Sequence, residues 1–423
     1  MRKWFVYDEN DPASFLFFTM VLFALFLILF GILCGPPSEL VPGLWHIITE
    51  RAVLITDSIV VGGMGAAFLN AGLVTLISLW ILYACKAAIS GATIAAVFLM
   101  AGFSLFGKDI WNIMPILLGG FLYSKYKKLP FSQYIYTSLF GTALAPVVTE
   151  ISSIVDRQWP LLRFILPIGI GTVVGFVLPA ISVFTVRVHQ GYNLYNGGFA
   201  AGLVGMVLAS ILKSFGYVFE TRLEWSTGNN LKLSVFLFIL FGALFLAGFF
   251  YNKRSLQNLK NIIRHSGRAV ADFVHHDGYP IVMMNMGIIG AVATVYVLLV
   301  GGELNGPTVG GILTVCGFGG FGKHLRNITP IVLGVVLTSF WTVWKLNDPA
   351  VLLAALFATG LAPIAGQFGW LWGIAAGAAH ACVVLNVSFL HGGLNLYNNG
   401  FSAGLVCIVL VPLIEALKRE PEL

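Results

Sequence analysis

The chain has 423 residues, of which 58% are hydrophobic and 10% charged, with a formal net charge of +6 and a mean hydropathy of +0.89. Soluble domains carry about 25% charged residues, so this composition excludes an ordinary soluble protein. The positive residues lie mostly in loops between apolar runs, where they set membrane orientation. Nucleic acid is therefore not expected as a partner.

Apolar runs recur along the whole chain and predict an all-α polytopic membrane protein. The runs 12–33 and 233–250 are long enough to cross roughly 30 Å of hydrocarbon and too long for barrel strands. Helices are predicted, some of them half-length or re-entrant, near residues 14–35, 61–85, 89–106, 112–124, 131–154, 162–187, 197–213 and 232–251. Further helices are predicted near residues 280–300, 306–321, 327–344, 349–366, 370–390 and 399–416.

Three stretches of the first half recur in the same order in the second half. The longest, from His189 to Val204, returns from His391 to Val406 with the shared pattern Asn-Leu-Tyr-Asn-x-Gly-Phe-x-Ala-Gly-Leu-Val. The other pairs are 102–119 with 317–334, and 141–147 with 358–364. Chance similarity between apolar helices would align Leu, Val and Ala, but not Lys, Asn, Pro and Tyr in one order. The chain is therefore predicted to be an internal duplication.

Loop charge predicts how the two units are oriented, because cytoplasmic loops carry an excess of Lys and Arg. The basic stretches 124–128 and 252–268 are predicted to be cytoplasmic, and the balanced region 213–232 external. With one helix between the last two regions, the two units begin on opposite sides of the membrane. The sequence thus predicts two inverted repeats of about six membrane segments each, with broken or re-entrant helices. Both chain termini are predicted to be cytoplasmic, the second marked by Lys418 and Arg419.

The predicted division of the chain has four parts. Residues 1–53 form an N-terminal transmembrane helix and an external loop, 54–230 form repeat 1, 231–274 form a linker transmembrane helix and a basic cytoplasmic loop, and 275–423 form repeat 2. Inverted repeats are a recurring plan of transporters, in which the site lies near the bilayer midplane between broken helices.

The first candidate site is the pair of Gly-Lys motifs at Lys108 and Lys323, each of which ends a glycine-rich apolar run. A proline follows each motif and predicts a break between two half-helices, with Asn112 and Asn327 in equivalent positions. A helix N-terminus beside a lysine favours anions. The motifs thus predict a symmetric site for an anion or polar solute. The alternative is that both lysines lie at the water interface and extend their ammonium groups into it.

The second candidate site is a duplicated Asn-Tyr motif that consists of Asn193, Tyr195, Asn196, Asn395, Tyr397 and Asn398. Carboxamides and a phenol beside glycines suit a turn, because Asn and Gly tolerate positive φ. The small residues that follow, beginning at Gly198 and Gly400, allow two helices to approach closely. The motif predicts a polar loop that lines a solute path, and the alternative is an ordinary hairpin at the membrane surface.

Five ionisable residues are candidates for proton coupling: His189, His391, Asp109, Glu150 and His324. A carboxylate inside a membrane is by default a functional hypothesis, and histidine titrates near neutral pH. The alternatives are that the two recurring histidines cap helix ends and that Glu150 lies at the external end of its helix. No metal-ligand spacing is evident, so neither a metal nor another cofactor is expected.

The Asn-Leu-Tyr-Asn and Gly-Lys motifs resemble a bacterial family of polytopic membrane proteins that is described only as a domain of unknown function. This resemblance covers most of the chain and implies no substrate. A local resemblance to urea transporters rests on Gly191-Tyr-Asn193, Asn196-Gly197, Leu203-Val-Gly205 and Gly107-Lys-Asp109. The order and spacing depart from the urea-transporter signature, and the lysines have no place in a slot for a neutral solute. An inverted-repeat plan is what this second resemblance implies.

The leading hypothesis is a membrane transporter or channel, not an enzyme, that moves a small polar or anionic solute between the two units. The alternatives are a membrane-embedded enzyme, a channel for a urea-like neutral solute, and a scaffold. No H-E-x-x-H, nucleotide loop or serine-nucleophile motif supports the enzyme. The expected location is the inner membrane of a bacterium, with the lipid bilayer and the solute as partners. The sequence leaves open whether the chain forms a homo-oligomer.

Overall fold

The structure, a computed structural model, describes residues 11–418. Residues 1–10 and 419–423, with Arg419 and the two termini predicted to be cytoplasmic, lie outside the described residues. Within 11–418 there is no β-strand, only an isolated bridge between Thr56 and Glu224. The predicted all-α class is confirmed.

Eight helices in the described range are long and apolar enough to cross a membrane. They are Pro12–Cys34, Ser58–Ala84, Pro160–Val188, Asn196–Ser214, Asn230–Tyr251, Tyr279–Leu299, Pro349–Phe368 and Asn398–Lys418. This number fits a multi-pass membrane protein, as predicted from the apolar runs.

The helices of the first half are α1 (Pro12–Cys34), α2 (Pro37–Thr49), α3 (Ser58–Ala84), α4 (Gly91–Phe103), α5 (Met114–Tyr126), α6 (Ile135–Gly141), α7 (Pro146–Ile154), α8 (Pro160–Val188) and α9 (Asn196–Ser214). The helices of the second half are α10 (Asn230–Tyr251), α11 (Leu259–Ile262), α12 (Phe273–Asp277), α13 (Tyr279–Leu299), α14 (Gly306–Gly317), α15 (Leu325–Ser339), α16 (Pro349–Ala358), α17 (Ala362–Phe368), α18 (Trp370–Val384) and α19 (Asn398–Lys418).

The two halves have corresponding packing. Helix α1 packs along α3 as α10 packs along α13, and α5 packs on α8 as α15 packs on α18. The helices predicted as the N-terminal span and the linker span therefore occupy corresponding places, one beside each unit. The halves meet where α4 packs against α14 and α9 against α19.

The segment predicted as an external loop within residues 1–53 contains helix α2, Pro37–Thr49. Pro37 favours the first helical turn, and Gly43 lets α2 lie against α3. A Cβ atom at residue 43 would be 2.2 Å from the carbonyl oxygen of Gly62. The run is short and contains Pro42, so its apolar pattern gave no sign of a helix.

Two predicted continuous helices are each interrupted by a 3₁₀ turn, and the second still counts as one candidate span, Pro349–Phe368. The predicted helix 131–154 consists of α6, a 3₁₀ turn at Thr142–Leu144, and α7. The predicted helix 349–366 consists of α16, a 3₁₀ turn at Thr359–Leu361, and α17. Pro146 and Pro363 follow these turns and lack the amide hydrogen that a continuous α-helix would use, which explains both interruptions.

Glycines hold the two halves in close contact. A Cβ atom at Gly102 of α4 would lie 2.6 Å from the carbonyl oxygen of Gly310 in α14. A Cβ atom at Gly198 of α9 would lie 2.9 Å from the Cα of Gly400 in α19. The close helix approach predicted from the small residues is confirmed. This close approach places the duplicated motifs of the two halves against each other.

Candidate functional site

The helix breaks predicted at the Gly-Lys motifs follow α4 and α14. Gly107 and Gly322 have φ of +120° and +110°, a region that favours glycine. The next residues, Lys108 and Lys323, each donate a backbone hydrogen bond back into the preceding turn at 3.0 Å. Both lysine side chains are fully buried, with 0% exposure. The alternative that they lie at the water interface is therefore wrong.

Each break is held by an asparagine from a neighbouring long helix. Nδ2 of Asn70 in α3 donates to the carbonyl oxygen of Lys108 at 2.8 Å, and Nδ2 of Asn285 in α13 donates to that of Lys323 at 2.8 Å. The sequence analysis missed both asparagines. A lone Asn in the same place of two corresponding apolar runs was the available signal.

Asn112 and Asn327, predicted to line the solute path, brace the breaks from within. Nδ2 of Asn112 donates to the carbonyl of Gly107 at 2.9 Å, and its Oδ1 accepts from the amide of Asp109 at 3.0 Å. Asn327 makes the same two bonds in its own break, at 2.9 and 3.0 Å. Both side chains bond to the backbone on either side of the lysine, which fixes the course of the chain through each break.

The ammonium group of Lys323 has two oxygen partners. Nζ donates to Oγ1 of Thr359 at 2.7 Å and to the hydroxyl of Tyr195. It also lies 5.1 Å from the ring centre of Phe318. Tyr195 belongs to the first half, whereas Lys323 and Thr359 belong to the second. This site is therefore composed of residues from both halves.

The side-chain nitrogen of Lys108, in the first half, has weaker hydrogen-bond partners. Nζ of Lys108 contacts the sulfur of Met100 at 3.4 Å and lies 5.0 Å from the ring centre of Phe103. Thr142, the counterpart of Thr359, donates to the same sulfur at 3.3 Å. The hydroxyl of Tyr397, the counterpart of Tyr195, is buried without a hydrogen bond of normal geometry. Lys108 thus lacks the oxygen partners that Lys323 has.

The two tyrosines of the Asn-Tyr motifs meet between the lysine sites. Their ring centres are 4.7 Å apart, and both side chains are about 1% exposed. Asn193 and Asn395 reach across between the halves, since their Nδ2 atoms donate to the carbonyls of Gly400 at 3.0 Å and Gly198 at 3.2 Å. The structure brings both predicted sites together into one buried cluster.

The predicted turn geometry of the Asn-Tyr motifs lies upstream of its expected place. Asn196 and Asn398 are the first residues of α9 and α19, so the glycines that follow them are helical. Positive φ occurs earlier, for example at Gly191 (+81°) and Gly393 (+77°). The motif is a loop that enters a helix, because the close contact between α9 and α19 requires the small residues to be helical.

Two of the proton-coupling candidates pair with the Asn-Tyr motifs. Nε2 of His189 is hydrogen-bonded to Oδ1 of Asn196 at 2.9 Å, and Nε2 of His391 to Oδ1 of Asn398 at 2.9 Å. Both histidines are buried. These contacts join the end of one helix to the start of the next in each half.

Asp109 and His324, which follow the lysines, cap the second part of each break. Oδ1 of Asp109 accepts from the amides of Trp111 at 2.7 Å and Asn112 at 2.8 Å. Nδ1 of His324 accepts from the amide of Asn327 at 3.3 Å. Neither side chain contacts a lysine ammonium group, so the structure places both beside the site without joining them to it.

Glu150 lies on α7 in an ion-pair cluster instead of beside the lysines. Its carboxylate accepts from Nε of Arg51 at 2.7 Å and from the hydroxyl of Tyr217 at 2.6 Å. Partial burial, the hydrogen bond to Glu150 and its negative charge raise the pKa of Tyr217 to about 12. Burial alone would lower the pKa of Arg51, but the adjacent carboxylate raises it. This cluster fastens the connection after α9 to the segment before α3.

The lysine cluster, formed by Lys108, Lys323 and the two tyrosines between them, holds no carboxylate partner among the described residues. Across residues 11–418, no Asp or Glu lies within ion-pair distance of Lys108 or Lys323. A buried ammonium group without a counter-charge is costly, and an anion at this place would compensate it. In the same range, no group of three or more His, Cys, Asp or Glu side chains is placed to hold a metal ion.

Comparison with known proteins agrees with the resemblance of the motifs. No curated protein and no solved structure shows a significant match to the chain. The family described as "Protein of unknown function (DUF1576)" matches residues 36–214 and 251–416. The two matched regions begin after α1 and at the end of α10, so each contains one copy of the lysine and Asn-Tyr motifs. Together they cover most of the sequence, and the chain therefore belongs to the DUF1576 family.

Proposed function

We propose that the protein is a membrane transporter or channel, not an enzyme, and that it moves a small anionic solute past Lys108 and Lys323. The observation that carries this proposal is the pair of fully buried lysine side chains without a carboxylate partner within residues 11–418. The groups lie where the two halves meet, as expected for a path between two units. Matching residues in both halves suit a conduit better than a single asymmetric catalytic centre.

We further propose that the two halves are inverted repeats and that α4–α5 and α14–α15 are re-entrant hairpins. The amide of Gly91, at the start of α4, donates to Asp272 at 3.1 Å, and Asp272 follows the basic stretch 252–268. The amide of Gly306, at the start of α14, donates to Asp57 at 3.2 Å. Asp57 also accepts from Ser226, which lies within the stretch 213–232 predicted to be external. These contacts favour hairpins that start from opposite faces of the membrane.

The basic stretch sets the proposed orientation. We place it on the cytoplasmic side, because cytoplasmic loops carry an excess of Lys and Arg. The location we propose is the cytoplasmic membrane of a bacterium. In this orientation Arg51, Glu150 and Tyr217 lie on the external side, and the path past the lysines connects the two compartments.

The proposal favours an anion over a neutral solute for an energetic reason. Each unpaired ammonium group costs several kcal/mol when it is removed from water. A carboxylate, phosphate or halide between the two lysines would offset this cost, and the hydroxyl of Tyr195 would donate to the anion in place of water. Urea offers no charge, so it would leave the cost of both lysines unchanged.

Flux into proteoliposomes tests the proposal. Acetate, phosphate and chloride are compared with urea and glycerol, with and without a pH gradient. We expect anion flux in the wild type and at least about a tenfold loss in Lys108→Met and in Lys323→Met. Lys345→Met is the matched control, because Lys345 is an exposed loop lysine.

Three outcomes would contradict parts of the proposal. Equal anion flux in the wild type and both lysine variants would remove the lysines from the path. Flux of urea without flux of anions would favour a conduit for neutral solutes. The absence of flux for every solute would reject transport of these probes and favour the enzyme or scaffold hypotheses.

A further inference from the structure

A cavity of about 710 Å³ lies between α2, the break after α4, and helices α7 and α8. This volume is in the range of about 300–1,000 Å³ that small-molecule sites occupy. Its wall includes Arg51, Arg163, Trp111, Phe164, Ser152 and Ser153. Among the described residues, no Asp or Glu lines this cavity. The cavity is therefore basic and partly aromatic.

The guanidinium groups of the two arginines differ in their hydrogen-bond partners. Arg51 is held by Glu150 at 2.7 Å and by Glu220 at 3.1 Å, so its charge is compensated. Arg163 donates from Nε to the backbone carbonyl of Ser152 at 3.0 Å. In the described part of the chain it forms no ion pair. Its Nε is fixed by this bond, and its terminal nitrogens remain for a ligand.

Aromatic rings form another side of the cavity. Trp111 and Phe164 are stacked with ring centres 5.0 Å apart and an interplanar angle of 24°. A fixed guanidinium group with adjacent aromatic surface suits a ligand that has an anionic end and an apolar body. We infer that the cavity binds a small amphipathic anion, whose carboxylate or phosphate contacts Arg163 and whose apolar part packs against Trp111 and Phe164.

The cavity is close in sequence to the first lysine. Ile110 and Trp111 belong to the same helix break as Lys108, and both line the cavity. The cavity would thus receive an anion before it reaches the lysine cluster. That role rests on the proposed function, whereas the binding itself does not.

The anionic group could belong to a free solute or to a lipid headgroup, and the experiment separates these sources. Isothermal titration calorimetry in a non-ionic detergent measures binding of benzoate and, separately, of phosphatidylglycerol in mixed micelles. We expect Arg163→Gln to weaken binding at least about tenfold. Arg163→Lys should keep part of it. Arg157→Gln is the matched control, because Arg157 is an exposed arginine in the connection just before α8, the helix that carries Arg163.

Each outcome decides the inference. Benzoate binding that depends on Arg163 supports a site for free anions, and phosphatidylglycerol binding with the same dependence supports a headgroup site. No binding of either probe by the wild type, or equal loss in the Arg163 and Arg157 variants, would overturn it.

The experiments can contradict binding in the cavity and transport past the lysines independently of each other. The double variant with Lys108→Met and Lys323→Met should retain benzoate binding, because neither lysine lines the cavity. Intact binding without any flux in wild-type proteoliposomes would reject the proposed function and leave the cavity site supported. A Trp111→Leu variant, which should weaken benzoate binding without removing the guanidinium group, provides a second check if Arg163→Gln does not fold.

Discussion

Nζ of Lys323 donates a hydrogen bond to Oγ1 of Thr359 at 2.7 Å. The corresponding atoms of the first half are not joined, because Lys108 and Thr142 both contact the sulfur of Met100. The two lysine sites therefore share a sequence pattern but differ in their hydrogen bonds. Val315 stands in the position of Met100 in the duplicated sequence, so the second half has no sulfur there.

The difference between the two threonines is testable. Thr359→Val should reduce anion flux and affinity about tenfold, since it removes a hydrogen bond to a charged donor worth about 1.5–3 kcal/mol. Thr142→Val is the matched variant and should have a smaller effect, because its hydroxyl contacts a sulfur instead of the ammonium group. Concentration-dependent flux in proteoliposomes measures both. Equal losses in the two variants would contradict a special role of Thr359.

The asparagines that hold the helix breaks should be essential for stability. Asn70→Leu and Asn285→Leu each leave buried carbonyl oxygens without their donor, at a cost of about 1–3 kcal/mol for each group. The free energy of unfolding, measured by titration with dodecyl sulfate, should fall in both variants. Ser78→Ala is the control, since Ser78 in α3 bonds only to its own helix at Val74. A loss as large in the control would argue against the bracing role.

Close contact between α9 and α19 predicts a steric effect. Gly198→Ala would put a Cβ atom 2.9 Å from the Cα of Gly400, so the two helices must separate. We expect a destabilisation of about 1–3 kcal/mol and a lower melting temperature in detergent. At Gly242 in α10 an added Cβ meets no atom within 4 Å, and Gly242→Ala should be neutral or slightly stabilising. Equal melting temperatures for the two variants would disagree with the structure.

The ion-pair cluster around Glu150 predicts that its two carboxylates contribute unequally to stability. Glu150→Gln removes the charge that compensates Arg51 and should destabilise the protein by about 2 kcal/mol, because this carboxylate is fully buried. The side chain of Glu220, the other partner of Arg51, is 80% exposed, so Glu220→Gln should cost under about 1 kcal/mol. Unfolding midpoints of the two variants at pH 7 measure the difference. A larger loss of stability in Glu220→Gln than in Glu150→Gln would contradict the burial of Glu150 and the exposure of Glu220.

Much of the fold was predictable because its signals are local. Long apolar runs gave the eight candidate spans, and Gly-Lys followed by proline gave the helix breaks at Lys108 and Lys323. Helix α2 was not predictable in this way, since its 13 residues include an internal proline and its stability comes from packing on α3.

The candidate site was predictable in its members but not in its arrangement. Repetition identified both lysines and both tyrosines, but it did not indicate which tyrosine approaches which lysine. The structure pairs Tyr195 with Lys323 of the other half. Such a pairing depends on how the halves dock, which sequence spacing does not encode. The two interpretations of the lysines could be separated only by burial, because a lysine after an apolar run is compatible with both.

The bond between Tyr195 and Lys323 has a consequence for biosynthesis. The two residues are 128 positions apart in the chain, and domains emerge from the ribosome in order, N-terminal first. The first half must therefore wait in the bilayer with the hydroxyl of Tyr195 unpaired until the second half has been inserted. Assembly of the lysine cluster is a late folding step, and a truncated first half would expose a polar, aromatic surface to quality-control proteases.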